Sequence, residues 1–134
     1  MWNEAGVHEA PSGVVQESEA AYRASGWRVF VIPDGIGSKE QFFDGVVAAF
    51  PLDPPLERVS DMWDALDDSL WGGLDALPET QVAILWPRAL ALADADPAAY
   101  EIALSILSGL SESLRNPEYL GGRSPTTVVV VIGT

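Results

Sequence analysis

The chain has 134 residues, 48% hydrophobic and 20% charged, which is enough apolar material for one domain with a packed core and too much for a disordered chain. Twenty acidic against seven basic residues leave a formal net charge of −13. That balance sets aside direct binding to a phosphate backbone and suits a basic protein partner, although solubility alone is the plainer reason for an acidic surface. Without cysteine there is no disulfide, thiol chemistry or cysteine-ligated metal.

The opening MWNEAGVHEA lacks the basic start and apolar core of a secretory signal. No apolar run reaches the roughly 20 residues of a membrane helix, so no membrane role is expected and the expected location is cytoplasmic. Residues 1–26 read as an extension packed on or flanking the domain, with one helical stretch, VVQESEAAYRAS, ending near Gly26. His8 lies there with nothing local to orient it as a base, and reads as an exposed or capping side chain.

The domain proper is expected over 27–134. WRVFVIP (Trp27–Pro33) is a β-rich run stopped by proline and glycine, hence a strand. In SKEQFFDGVVAAF, Ser38 is the predicted N-cap with Gln41 three residues on, and Phe42, Phe43, Val46, Val47 and Phe50 recur at helical spacing. PLDPP (Pro51–Pro55) ends that helix. A second helix is expected to open after Ser60 and close on Gly72-Gly73, followed by the strand QVAILWP (Gln81–Pro87). RALALADAD is short and ambiguous. Asp96-Pro97 caps a long helix whose apolar stripe is Ile102, Ala103, Ile106, Leu107, Leu110 and Leu114, ending near Asn116-Pro117. EYLGGRSP is a loop. TTVVVVIG is a last strand, apolar on both faces as an interior parallel strand must be. Strands separated by helices predict a small α/β domain of two or three layers, with about three parallel strands and covering helices.

The stretch DMWDALDDSLWGG holds four carboxylates and two tryptophans in thirteen residues. At 100° per residue Met62, Trp63, Leu66 and Leu70 form an ordinary core stripe, while Asp61, Asp64 and Asp68 line the opposite side with Trp71; Asp67 lies at the edge. Like charges one turn apart destabilise a helix and Asp is a poor helix former, so local stability does not explain the pattern. A Ca²⁺ or Mg²⁺ site would need more oxygens than the helix offers. Paired-carboxylate catalysis would need a second acidic cluster with the signal of a substrate cleft, and the sequence offers neither. A partner-binding face would use these aspartates against Arg and Lys around a tryptophan anchor. A merely solvated face with Trp71 half buried stands beside these three.

WDALDDSL (Trp63–Leu70), followed by Gly72, resembles the "LDALWDCL…G" segment of the barstar family, intracellular inhibitors of secreted guanyl-specific microbial ribonucleases. The order of elements from Trp27 to Gly133 resembles that family too. The resemblance implies an acidic, barstar-like immunity protein that acts by protein–protein interaction, is not an enzyme, and binds one basic ribonuclease, one to one, without metal or cofactor. It puts Asp68 at the family's dominant aspartate, which takes the place of a substrate phosphate, and Asp64 at the second interface aspartate. Ser60, Met62, Trp63 and Gly72 fall where the family's loop and early helix touch the enzyme, and Asp61 and Asp67 extend the charged row. Asp67 replaces an interface aromatic, and Arg58 stands where an aromatic rings the site. Trp71 is placed to supply that aromatic surface one turn on, and Glu112 is the nominated equivalent of the family's accessory glutamate in the long helix. A barstar-like module directed at another toxin nuclease is the alternative.

Overall fold

The computed structural model of the protein describes residues 1–56, 62–120 and 124–134. Its elements are β1 (Gly6–Ala10), α1 (Ser12–Ala24), β2 (Arg28–Val31), α2 (Lys39–Ala49), α3 (Trp63–Asp75), β3 (Gln81–Trp86), α4 (Leu90–Ala95), α5 (Pro97–Leu114), a single 3-10 turn (Pro117–Tyr119) and β4 (Thr127–Gly133). The strands form one sheet in the order β1-β4-β3-β2, and every neighbouring pair is parallel. The expected parallel α/β sheet with covering helices is present, and β1 joins it as a fourth strand from the N-terminal segment.

Alternation along the strands divides the interior into two cores. Phe30, Ile32, Val82, Ile84, Trp86, Val128, Val130 and Ile132 face the side covered by α2, α3, α4 and α5. Val29, Ala83, Leu85, Val129 and Val131 face the other side, where α1 contributes Val15 and Tyr22. Residues of β4 thus belong to both cores, as its uninterrupted apolar run requires. The result is three layers, with helix α1, the sheet, and the other helices.

Local chemistry fixes where the helices begin and end. Ser38 accepts from the Gln41 amide at 3.1 Å, while the Gln41 side chain accepts from the Gly37 amide at 2.8 Å. Asp96 caps α5 by accepting from the Ala99 amide at 3.1 Å, with Pro97 in the first turn. Helix α1 ends on Gly26 at φ +86°; Gly26 N–H bonds Arg23 C=O, and Trp27 N–H bonds Tyr22 C=O, each at 3.1 Å. The Trp27 and Tyr22 rings meet 5.0 Å apart, closing that turn with an apolar contact. The buried Tyr22 hydroxyl also donates to Trp2 C=O at 2.7 Å and accepts from Trp2 N–H at 3.0 Å, so the N-terminus is pinned over α1. His8 donates from Nε2 to the Glu4 carbonyl at 2.8 Å.

Three residues expected on core-facing stripes are outside the core, and the first is Val47, exposed on the outer side of α2. Met62 is 63% exposed, because α3 begins at Trp63 and the preceding backbone is extended rather than helical. Ile102 is 40% exposed, lying on the flank of the α5 stripe rather than in it. Helix α3 also runs past Gly72-Gly73 to Asp75. Those glycines do not stop it. A Cβ on Gly72 would overlap the Asp53 carbonyl oxygen and one on Gly73 that of Pro51, so they let the 51–53 connection lie directly on the helix. The Asp53 amide then donates to the Ser69 carbonyl at 3.0 Å. Among the described residues no helix is long and apolar enough to cross a membrane.

Candidate functional site

Helix α3 is held by one face. Leu66, Leu70 and Leu74 are wholly buried in the larger core, each contributing about 1.5–3 kcal/mol of hydrophobic stabilisation. Ser69 and Gly73 complete that face. Trp63 is half-buried, its ring edge-on to Phe43 at 5.0 Å and tilted against Phe42 at 6.0 Å. The Lys39 ammonium lies 5.3 Å from the Trp63 ring centre, an orientation that favours the cation over the ring.

The opposite face carries Asp64, Asp67 and Asp68, all exposed. Among the described residues none of the three has an ion-pair partner; the ion pair found there is Arg23–Glu19 on α1. Asp64 lies in the first turn of α3, where the positive end of the helix dipole favours a carboxylate. Asp67 has no such help. Partial burial first, then the charges of Asp68 and Asp64, push its carboxyl above the usual range. The face therefore stores electrostatic repulsion that a cation would relieve.

The predicted contact residues separate on this geometry. Asp64, Asp67 and Asp68 share the outward face, with Trp63 at its margin. Met62 is exposed at the N-terminal end of α3 and is not part of the core. Trp71, read from the wheel as standing on the acidic side, is half-buried against the larger core. Gly72 serves the close approach of Asp53. Ser60 and Asp61, and Arg58 beside them, lie outside the described residues.

Sequence reasoning missed a groove of about 530 Å³ between α3 and α5, lined by Trp63, Asp64, Asp67, Ala98, Glu101, Ile102, Ser105 and Ile106. Glu101 is therefore the α5 carboxylate that shares a groove with the α3 aspartates. Glu112, nominated from the sequence, lies three turns further along and lines a separate hollow with Ala5, Gly6 and Arg115. The usable signal was the wheel of α5, on which Ala98, Glu101, Ile102 and Ser105 fall on one flank. Among the described residues no three His, Asp or Glu side chains could hold a metal ion together.

No curated protein and no solved structure matches the chain. The family model described as Barstar (barnase inhibitor) matches residues 27–130, which leaves β1 and α1 outside the match and takes in α3 and α5 whole. Matched over most of its length, with the acidic helix inside the match, the chain belongs to the barstar family of barnase inhibitors.

Proposed function

We propose that this chain is an inhibitor, not an enzyme, that binds a basic guanyl-specific ribonuclease one to one and blocks its active site with the outward face of α3. The family's members are ribonuclease inhibitors, which supplies the class of partner. The observation carrying the reading is the exposed row of Asp64, Asp67 and Asp68 without a cationic partner among the described residues. Asp68 takes the position of an RNA phosphate among the enzyme's cationic catalytic groups, Asp64 pairs beside it, and Ser60, Asp61 and Met62 meet the rim. Charge-assisted hydrogen bonds formed in a desolvated cleft are strong, and they discharge the repulsion held along the helix. Opposite fields also speed the encounter, because −13 on one partner faces a basic surface on the other. The proposed setting is the cytoplasm of a cell that exports the nuclease, with the inhibitor as its immunity protein.

Titration of a guanyl-specific ribonuclease with the purified chain tests this. The expected result is activity falling linearly to zero at one equivalent; undiminished activity at excess inhibitor would sink the reading. A second reading, a barstar-like module aimed at a different toxin nuclease, is favoured by Asp67 standing where the family has an interface aromatic. Binding to such a nuclease without binding to a guanyl ribonuclease would select it.

A further inference from the structure

We infer that Lys39 determines which nucleases this chain accepts: its ammonium, seated on the Trp63 ring where α3 begins, meets a carboxylate of the partner. This rests on the inhibitor reading above and adds a demand on the enzyme, an acidic side chain beside its cationic cleft.

Lys39 is the one lysine of the chain, and its place is unfavourable by two measures. It is the first residue of α2, directly after the Ser38 cap, where the positive end of the helix dipole disfavours a cation. It also makes no ion pair among the described residues. Glu40 follows it in sequence, but side chains one residue apart do not face each other on a helix.

The side chain is nevertheless held in place. Its ammonium lies 5.3 Å from the Trp63 ring centre and 5.7 Å from that of Phe43. Phe43 is buried one turn further along α2 and meets Trp63 edge-on at 5.0 Å. A lysine head is ordinarily a hydrated charge on a flexible stem; two aromatic rings restrain this one and leave it half-buried. Trp63 opens α3 and lines one groove with Asp64 and Asp67. The cation therefore stands at the end of the aspartate row, where a partner seated on that row reaches it.

A restrained cation at the edge of an acidic face discriminates between partners. A nuclease whose facing surface is wholly positive is repelled there, and one with a carboxylate at that point forms a charge-assisted pair. The long-range field has the opposite preference. Toward a basic enzyme, removing a positive charge from a chain of net charge −13 should by itself strengthen attraction. Local pairing and overall charge thus predict opposite signs for the same substitution.

The test measures dissociation constants and rates of the full chain with a guanyl-specific ribonuclease for wild type, Lys39→Arg, Lys39→Gln, Lys39→Glu and Asp68→Ala. Circular dichroism and thermal melts first establish that each variant is folded. Lys39→Gln is expected to weaken binding about tenfold, the worth of one charge-assisted contact, through faster dissociation. Lys39→Glu is expected to weaken it further, and Lys39→Arg to retain most of it. A scan in which each surface carboxylate of the ribonuclease is changed to its amide then finds the partner group. With that one changed, Lys39→Gln is expected to cause no further loss. If Lys39→Gln binds as tightly as wild type or more tightly while Asp68→Ala loses tight binding, the assignment fails alone. It fails equally if the loss from Lys39→Gln adds to that from every carboxylate change, since Lys39 then acts only by holding Trp63. If wild type binds no guanyl ribonuclease, it fails together with the function. Should Lys39→Glu not fold, Lys39→Gln and the carboxylate scan decide it.

Discussion

Helices α1 and α3 are each 13 residues long, and each buries one face in a core. Their outward faces are built on opposite rules. On α1, Glu19 and Arg23 are one turn apart and paired at 3.0 Å, and Arg23 lies in the last turn where the helix dipole favours a cation. On α3, Asp64, Asp67 and Asp68 face solvent together, no basic residue lies in the last turn, and Asp67 is pushed toward its neutral form by partial burial first and then by the charges of Asp68 and Asp64. The ion pair of α1 lies within the chain. The three aspartates of α3 have no ion-pair partner among the described residues. The family match follows the same division, taking in α3 and leaving out α1.

The comparison breaks most sharply at Asp68. Asp68→Ala is expected to cost at least about 2 kcal/mol of ribonuclease binding, roughly thirtyfold in Kd, as a hot-spot contact does. Glu17→Ala on α1 and Asp44→Ala on α2 should leave the constant within error. Similar losses at all three positions, read by calorimetric titration, would mean that general charge and not the α3 face drives association.

The second contrast concerns stability. Gly73→Ala on α3 drives a methyl into the Pro51 carbonyl, so it should cost about 1–3 kcal/mol in urea unfolding. Gly13→Ala on α1 meets nothing within 4 Å and should be neutral or stabilising by up to about 1 kcal/mol. Equal effects at the two positions would show that the 51–53 connection is not pressed onto α3.

Those glycines mark the limit of what the sequence discloses. As letters, Gly72-Gly73 look like a helix stop; only the chain lying on them, from twenty residues earlier, reveals a close approach inside a continuing helix. Met62 is misplaced for a similar reason, since the wheel takes it as helical and the helix starts one residue later, at Trp63. Caps were legible because their chemistry is local: Ser38 and Asp96 accept from the amides three residues on, as their types and spacing imply. The apolar run of β4 disclosed a strand buried on both faces. Strand β1 was not legible. GVHEA has no strong alternation, and it is a strand through its pairing with Val129 to Gly133 at the other end of the chain. Of the site, the aspartate row could be read from one helix. The groove could not, because it exists only where α3 and α5 meet.

Asp67 refines the comparison by pH. Its carboxyl titrates above the ordinary range in the folded chain, from burial first and then from Asp68 and Asp64, and the unfolded chain relaxes that rise. The folded state therefore holds this proton more tightly. The associated stability is fully present below the unfolded value, about pH 4, and is lost as pH rises through the folded value. Asp67→Asn should make the free protein more stable at neutral pH by a few tenths of a kcal/mol, the size of one like-charge pair on a helix, and the gain should vanish below about pH 4. Urea midpoints of both proteins across this range check it; a gain independent of pH would assign the effect to helix propensity instead.

The smallest expected effect lies on α1. Glu19→Gln removes the acidic half of its exposed pair with Arg23, whose side chains are 55% and 41% exposed for Arg23 and Glu19. Solvent screening limits such a pair to about 0.3–0.5 kcal/mol, falling further in salt. Raising the salt concentration should therefore act in opposite directions on the two helices. It weakens the one attraction on α1 and relieves the repulsion along α3. In melts of the free protein, salt should destabilise wild type relative to Glu19→Gln and stabilise wild type relative to Asp67→Asn. The same sign for both pairs would show that the two faces do not differ in the way their charges are arranged.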